Sequence, residues 1–597
     1  MTLLSDTCRS IRPVDTAVYD TIYHTFDRMT NGGARYLAEI AAQYGASVRS
    51  AELAIPRKCL ILAAADHGVS EIGISAYPVE TTVEMTKNYV IPKGAGANAL
   101  ANFAHADMVV IDVGIACDVS YLPEVRHCKI ANGTKNFTQG PAMTREQAVR
   151  ALEIGINIVR EKVAEGYRCF SLGEMGIGNT TSSAAICAAF TGLTAETVTG
   201  RGTGISDARM VIKTKAVADA LAVNRPDPTD GLDVLSKVGG FELGCLAGAI
   251  LGAASCGAVV VIDGFNATAA AMIAASLAPH ARGYMIGSHL SAEQAHVHML
   301  KHLDLKPCID MGLRLGEGTG ASVAQSILDC AISVYTGAST NATPAPTAPT
   351  DLPNIEETAA AIRPLDETMR ERCQLLIDNL SKPYGSLCKL EEMASRFAGI
   401  REKLRPSKKG TQRLYVFAPT VSEAVRSVAS FTKTEVQTVP EAGSVEYGIW
   451  LADCAARDGV RMIGLSSGNT ASVPTMTGIL LGAAKNRIAV FLDDTASLTA
   501  AEQAIRLAPL CRNNLFTSHM PQEEEVRAQM QSLGLPMHLH LDLAAREGLG
   551  ALFGFLLMHA ALHMLNDMKT FGEAGVTVAK NGPGTQRQKQ DIKGDTV

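Results

Sequence analysis

At 597 residues, 47% of them hydrophobic and 19% charged, the chain is too long for one ordinary domain and carries ample apolar sequence for full-sized cores. With 54 Lys+Arg against 60 Asp+Glu it lacks the broad basic footprint that phosphate neutralisation on nucleic acid demands. Its 14 cysteines form no C-x-x-C, and the start MTLLSDTCRS has no cationic segment leading into an apolar one, so a cytoplasmic location is expected, without disulfides or a secretory signal.

In chain order, the β-rich runs CLILAAA, MVVIDVG, CFSLG, AVVVIDG and YMIGS are each followed by a loop and an Ala-rich helical pattern. That alternation predicts an α/β fold, a mainly parallel sheet flanked by helices in a Rossmann-like three-layer arrangement. Ligands of such sheets bind beyond the carboxyl ends of the strands, so the loops there are where chemistry is sought. The first strand ends in Asp66-His67-Gly68, which reads either as a local cap or as a catalytic pair. The segment CFSLGEMGIGNTTSSAAICAAF (169–190) runs from strand through glycine loop into a Ser/Thr-rich helix start, where successive N–H groups and the helix dipole can hold a phosphate. Gly173 to Thr180 nearly fits a Walker A loop, but Asn179 stands in place of its lysine, which argues against a nucleoside triphosphatase. Glu174 inside this loop points to a contact with sugar hydroxyls or with developing positive charge. A second glycine cluster, Gly200 to Gly204, precedes a helical pattern with Lys213 and Lys215. The uncharged stretch 243–262 is long enough for a bilayer span, yet it is Ala/Gly-rich, and its counterpart at 475–494 has Lys485, Asn486 and Arg487 at the centre. Both are therefore expected to be helix, turn and buried strand. Arg314 to Gly320 sets Glu317 among glycines, which lets a ligand approach the carboxylate closely. The pairs His296/His298, His538/His540 and His559/His563 lack a third partner at metal-ligand spacing, so no metal is expected.

The chain also repeats itself. IRPVD (11–15) returns as IRPLD (362–366), and Leu37, Glu39 and Ala41 return at an offset of 353. Further on the offset settles at 230, pairing Gly248, Asp263, Ser288, His289, Glu317 and Gly318 with Gly478, Asp493, Ser518, His519, Glu547 and Gly548. The second copy thus lacks about 123 residues in its middle. The expected organisation is a catalytic domain 1–335, a Thr/Ala/Pro linker 336–354, a degenerate domain 355–578 and a polar, disordered tail 579–597.

The strings AADHGVSEIGISAYPVETTVEM (64–85), SLGEMGIGNTT (171–181), GRGTG (200–204), KVGGFELGCLAGAILGAA (237–254), VIDGFNATAA (261–270), GSHLSAE (287–293) and MGLRLGEGTGA (311–321) resemble the nicotinate-nucleotide:dimethylbenzimidazole phosphoribosyltransferase family. The resemblance spans nearly all of 1–335 and implies a small helical subdomain beside the sheet. It also implies transfer of phosphoribose from nicotinate mononucleotide to a benzimidazole, giving α-ribazole 5′-phosphate and nicotinate in cobalamin lower-ligand assembly. Alternatives are a non-catalytic nucleotide sensor, or the same transfer to a phenolic or purine base. By resemblance Glu317 is the general base; Glu174, Gly176, Gly178, Asn179, Thr180, Gly202 and Lys213 cradle the ribose phosphate; Asp263, Ser291 and Gly316 lie near the ribosyl and nicotinate end; and Tyr77, Met85 and Leu315 wall the base pocket. Glu84 stands where the family reads Gln and is expected to bear on base preference. Only small-molecule substrates are implied, with no cofactor, nucleic acid or membrane.

The second copy resembles the same family without its chemistry: Ala418-Pro419-Thr420 replaces Ala65-Asp66-His67, and the GRGTG segment and Lys213 have no counterpart. It does keep Lys382-Pro383-Tyr384-Gly385-Ser386-Leu387 and Thr570 to Val576, family motifs that the first copy has in degenerate form or lacks. A covalent pseudo-dimer is expected, in which the second copy lends these loops to the first copy's site.

Overall fold

The computed structural model describes residues 2–337, 339–545, 548–594 and 597. In the first copy the strands are β1 (Arg57–Ala65), β2 (Ala106–Gly114), β3 (Val125–His127), β4 (Tyr167–Met175), β5 (Val259–Ile262) and β6 (Met285–Gly287). They form one parallel sheet in the order β3-β2-β1-β4-β5-β6. β1 is buried from Lys58 onward, which explains why it is a continuous apolar run rather than an alternating one. The winding direction reverses between β1 and β4, so a crevice opens at their carboxyl ends. Helix Thr319–Thr336, which begins just after Glu317, is fixed to the sheet by a buried ion pair between Lys58 on β1 and Asp329.

The second copy repeats the sheet with β7 (Thr343–Pro344), β8 (Thr411–Val416), β9 (Glu435–Thr438), β10 (Val460–Ser466), β11 (Ala489–Leu492) and β12 (Leu515–Phe516), ordered β12-β11-β10-β8-β9-β7. β7 lies within the expected linker. Thr343 and Pro344 pair with Gln437 and Thr438 at the sheet edge, in the place β3 holds in the first copy. An extended Thr/Ala/Pro run suits this position because an edge strand can leave the missing proline N–H facing away from the ladder.

The missing residues are not excised as one block. The losses fall between β8 and β9, between β9 and β10, and after β10, where 467–472 does the work of 176–240 in the first copy. Both uncharged stretches are helix, turn and strand, as Phe241–Ser255 into β5 and Val473–Lys485 into β11. The one helix among the described residues long and apolar enough to cross a membrane is Leu549–Asp567, and it is mostly buried within the protein.

The copies face each other across a pseudo-two-fold axis. Ile309 pairs with Leu539, its own equivalent at offset 230. Asp310 N–H donates to the His538 carbonyl (2.7 Å) and His540 N–H to the Cys308 carbonyl (2.9 Å), a reciprocal exchange typical of an isologous dimer contact. One hydrophobic core runs through both copies, with Leu100, Ile327 and Leu328 of the first packed with Val425, Phe553 and Leu557 of the second.

Candidate active site

The crevice at the carboxyl ends of β1 and β4 opens into a cleft of about 890 Å³, counted to its open mouth. Two loops dominate it. The first leaves β4 at Met175 and turns through Gly178, at φ 104°, into the first turn of helix Asn179–Thr191. The second is Arg314 to Gly318, in which Gly316, Glu317 and Gly318 all have positive φ (79°, 59° and 78°). A left-handed glutamate is strained by about 1–2 kcal/mol, a cost that the surrounding packing must hold in place. The loops touch: a Cβ at Gly316 would lie 2.3 Å from Glu174 Oε1, and one at Gly173 would lie 2.6 Å from the Glu317 carbonyl oxygen. Glycine at both positions is what brings the two carboxyl groups into one cleft.

Glu317 is 5% exposed, and its Oε2 accepts from Ala97 N–H (3.1 Å) at the start of helix Gly96–Ala104. Burial pushes its pKa up to about 7, against the opposing pull of that N–H and of the Tyr89 phenol, while the Asp263 charge raises it further. Glu174 accepts from Asn179 Nδ2 (2.5 Å) and is raised to about 8, first by burial and then by Asp263, Glu242 and Glu317, with a hydrogen bond from Asn266 opposing. At neutral pH Glu317 is therefore poised to take or give a proton, whereas Glu174 is mostly a neutral acid.

Of the residues expected from the sequence, Glu174, Gly176, Asn179, Thr180, Gly202, Ser291, Gly316, Glu317, Tyr77, Met85 and Leu315 all line this cleft. Gly178, Lys213, Asp263 and Glu84 lie outside its lining. Lys213 sits fully buried behind Gly202, with Nζ donating to Thr180 Oγ1 (2.9 Å) and to the Gly200 carbonyl (3.0 Å). The Gly202 N–H, expected to face a phosphate, donates to Glu293 Oε1 (2.9 Å) instead. Asp263 spends its carboxylate on the N–H groups of Gly318 (3.2 Å) and Ala321 (2.9 Å), so it caps helix Thr319–Thr336 and thereby holds the Glu317 loop. Glu84 is clamped to Thr577, accepting from its N–H (2.7 Å) and hydroxyl (2.8 Å), and does not contact the base pocket. Asp66 and His67 are no catalytic pair: Asp66 accepts from Ala116 N–H (2.8 Å), while His67 is paired with buried Glu242 at 2.7 Å.

Asn266, His289 and Glu293 carry no signal of a role in the sequence beyond the motifs they sit in and, for His289, the repeat, yet each lines the cleft. So do Lys382 and Pro383 from the first of the lent loops, with Ser381 just before it, and Phe571 and Val576 from the second. Arg314 joins the copies: its backbone N–H donates to the Ser386 carbonyl (2.9 Å) and its guanidinium to the carbonyls of Tyr384 (2.5 Å) and Gly202 (3.1 Å). In the second copy, the place of Gly264 is taken by Asp494, whose carboxylate is consumed by Ser466, Ser467 and Ser497. Asp493 there still caps Gly548, as Asp263 caps Gly318. Glu547, expected to be silent, lies outside the described residues.

Among the described residues, no group of three or more His, Cys, Asp or Glu side chains is placed to hold a metal ion. His296 is bonded to Thr268 Oγ1 and Ser291 N–H, and His559 to Gln412.

A family profile described as phosphoribosyltransferase matches residues 11–344, 362–441 and 444–576. The nicotinate-nucleotide–dimethylbenzimidazole phosphoribosyltransferase of Geobacter metallireducens is 45% identical over 336 residues, covering 56% of this chain and 95% of that protein. The enzyme of the same name from Desulforamulus reducens is 46% identical over 337 residues, covering 56% and 96%. The crystal structure of CobT from Thermus thermophilus superimposes with a TM-score of 0.51 at 40% identity, covering 54% of this chain and 96% of that one. With both copies matched, the chain belongs to the phosphoribosyltransferase family, carried here twice in tandem.

Proposed function

We propose that the chain transfers the 5-phosphoribosyl group of nicotinate mononucleotide to 5,6-dimethylbenzimidazole, releasing nicotinate and forming α-ribazole 5′-phosphate. The observation that carries this reading is Glu317: a buried carboxylate with a pKa near 7, held on a strained glycine loop against the phosphate-type turn after β4. The C1′–N bond breaks with its electron pair going to the nicotinate nitrogen, which turns from pyridinium to neutral pyridine and needs no acid. The benzimidazole nitrogen bonds to C1′, and the proton of its N–H passes to Glu317. Glu174, largely neutral at pH 7, suits a contact with ribose hydroxyls better than one with developing positive charge. Ser291, Thr180 and the start of helix Asn179–Thr191 offer the phosphate hydroxyl and N–H groups, with Lys213 supplying charge from behind. Tyr77, Met85, Leu315, Phe571 and Val576 form the apolar part of the wall for a flat heterocycle.

The reading includes one working site per chain, small-molecule partners only, and a cytoplasmic pseudo-dimer whose second copy supplies the dimer surface and two loops to the first copy's site. Incubation with nicotinate mononucleotide and dimethylbenzimidazole tests it by release of nicotinate; binding of both without release would favour a sensor. kcat/KM for the base is expected to rise with pH through about 7 and then level off, because the ionised form of Glu317 is the active one. Lys213→Met is expected to raise KM for the nucleotide about 10–100-fold, the roughly 1.5–3 kcal/mol of a hydrogen bond to a charged group, while KM for the base stays within twofold.

A further inference from the structure

The family match ends at residue 576, yet the segment that follows packs behind the cleft wall and is hydrogen-bonded to two residues that line it, Tyr77 and Lys382. The composition of 579–597 predicts disorder, whereas the described residues from 579 to 594 are held by specific hydrogen bonds. Lys580 N–H donates to the Ala76 carbonyl (2.8 Å), Asn581 Oδ1 accepts from Ser206 N–H (3.0 Å), and Lys589 N–H donates to Asn379 Oδ1 (2.6 Å). The segment is anchored mainly by polar bonds, with Ala579 and Val597 its few apolar contacts to the core, which is why hydrophobic content fails to announce it.

Its central residue is Gln588, only 3% exposed. Gln588 Oε1 accepts from the Tyr77 hydroxyl (2.9 Å) and from Ala579 N–H (3.1 Å), while Nε2 donates to the Lys382 carbonyl (2.9 Å). Tyr77 and Lys382 line the cleft from different copies, and the Tyr77 ring stacks on Phe571 with centroids 6.4 Å apart and planes 20° apart. One carboxamide therefore ties together the tyrosine from the first copy and the lent loop from the second that wall the apolar end. Without it the Tyr77 hydroxyl would be buried unpaired, a cost that drives the ring to turn or water to enter.

We infer that Gln588 is a specificity-determining positioning residue, which sets the width of the slot for the planar base by fixing Tyr77 against Phe571 and the Lys382 loop. The inference rests on the transferase reading for the identity of the base. It is tested in the full-length chain with Gln588→Leu and Tyr77→Phe, by steady-state kinetics and by calorimetric binding of dimethylbenzimidazole alone. In both variants KM and Kd for the base rise about 5–20-fold and the preference for dimethylbenzimidazole over benzimidazole narrows, and in Gln588→Leu, whose side chain lies outside the cleft lining, kcat and KM for the nucleotide stay within twofold. The double variant loses no more base affinity than Gln588→Leu alone, because the one bond that Tyr77→Phe breaks is among the three that Gln588→Leu breaks. A residue that merely staples the tail would lower the melting temperature and leave base affinity alone. Base Kd within twofold of wild type in Gln588→Leu, or equal losses for base and nucleotide, overturns the inference; if that variant does not fold, Tyr77→Phe decides by the same limit on base Kd. A wild type that binds the base but releases no nicotinate overturns the transferase reading alone, and one that does not bind the base overturns both.

Discussion

Glu317→Gln is expected to lower kcat by about 10²–10⁴-fold, the usual worth of general-base catalysis, or roughly 3–5 kcal/mol of barrier. KM for either substrate should change little, because glutamine keeps the shape of the side chain and an acceptor for Ala97 N–H. The chemistry supplies an internal control. A benzimidazole with a more acidic N–H needs less help in losing its proton, so it should lose less rate in the variant than dimethylbenzimidazole does. Stability should move the other way. The folded carboxyl holds its proton up to about pH 7, while an exposed glutamate releases it near 4.5. The proton-linked stability is therefore complete below about pH 4.5 and is lost as pH rises through 7, when a charge must be kept in a buried site. Glutamine removes that charge. At about 1.36 kcal/mol per unit the relief is roughly 2–4 kcal/mol. The variant should melt above wild type at pH 9 and level with it at pH 5, measured by thermal denaturation across pH. An active Glu317→Gln protein would mean that the proton leaves by another route.

Much of this site was legible because its chemistry is local. The turn after β4 and the R-L-G-E-G loop each carry glycines at positions that need positive φ or close approach, and such needs are written in a few consecutive residues. The repeat was legible too, since it paired Asp263 and Gly318 with Asp493 and Gly548, but that each aspartate caps its glycine is seen only in the fold. What escaped was set by partners far away in the chain. Asp263 looks like a ligand residue at a strand end, and only the fold reveals that two N–H groups beyond Glu317 use both of its oxygens. Glu84 looks like a pocket substitution until Thr577, 493 residues on, supplies two donors matched to a carboxylate. Thr343 and Pro344 read as linker because a two-residue edge strand has too short a pattern to register, and its sheet is assembled from strands nearly 100 residues later.

Removing the second copy is the other change expected to have a large effect. A fragment ending at 335 loses Ser381, Lys382, Pro383, Phe571 and Val576 from the cleft wall. The loss reaches the catalytic loop itself. Arg314, three residues before Glu317, gives up its bonds to Ser386 and Tyr384, and the Met311 carbonyl gives up Lys389 N–H (3.2 Å). The loop already stores strain in a left-handed glutamate and would be released just where its position matters most. Burying a side chain the size of phenylalanine or valine is worth about 1.5–3 kcal/mol, so losing the two apolar wall residues alone costs more than tenfold in base affinity. With loop release added, kcat/KM for the base should fall at least 100-fold. The fragment should also aggregate, because helices Gly96–Ala104 and Thr319–Thr336 would expose the faces that now pack against Leu549–Asp567 and Glu423–Phe431. Co-expressed 336–597, which keeps β7 at its sheet edge, should restore both solubility and rate, since the covalent link serves chiefly to keep the halves at high effective concentration. Sedimentation and nicotinate release, measured on the fragment with and without its partner half, decide the matter. A soluble, monomeric and fully active fragment would show that the lent loops touch the site without serving it.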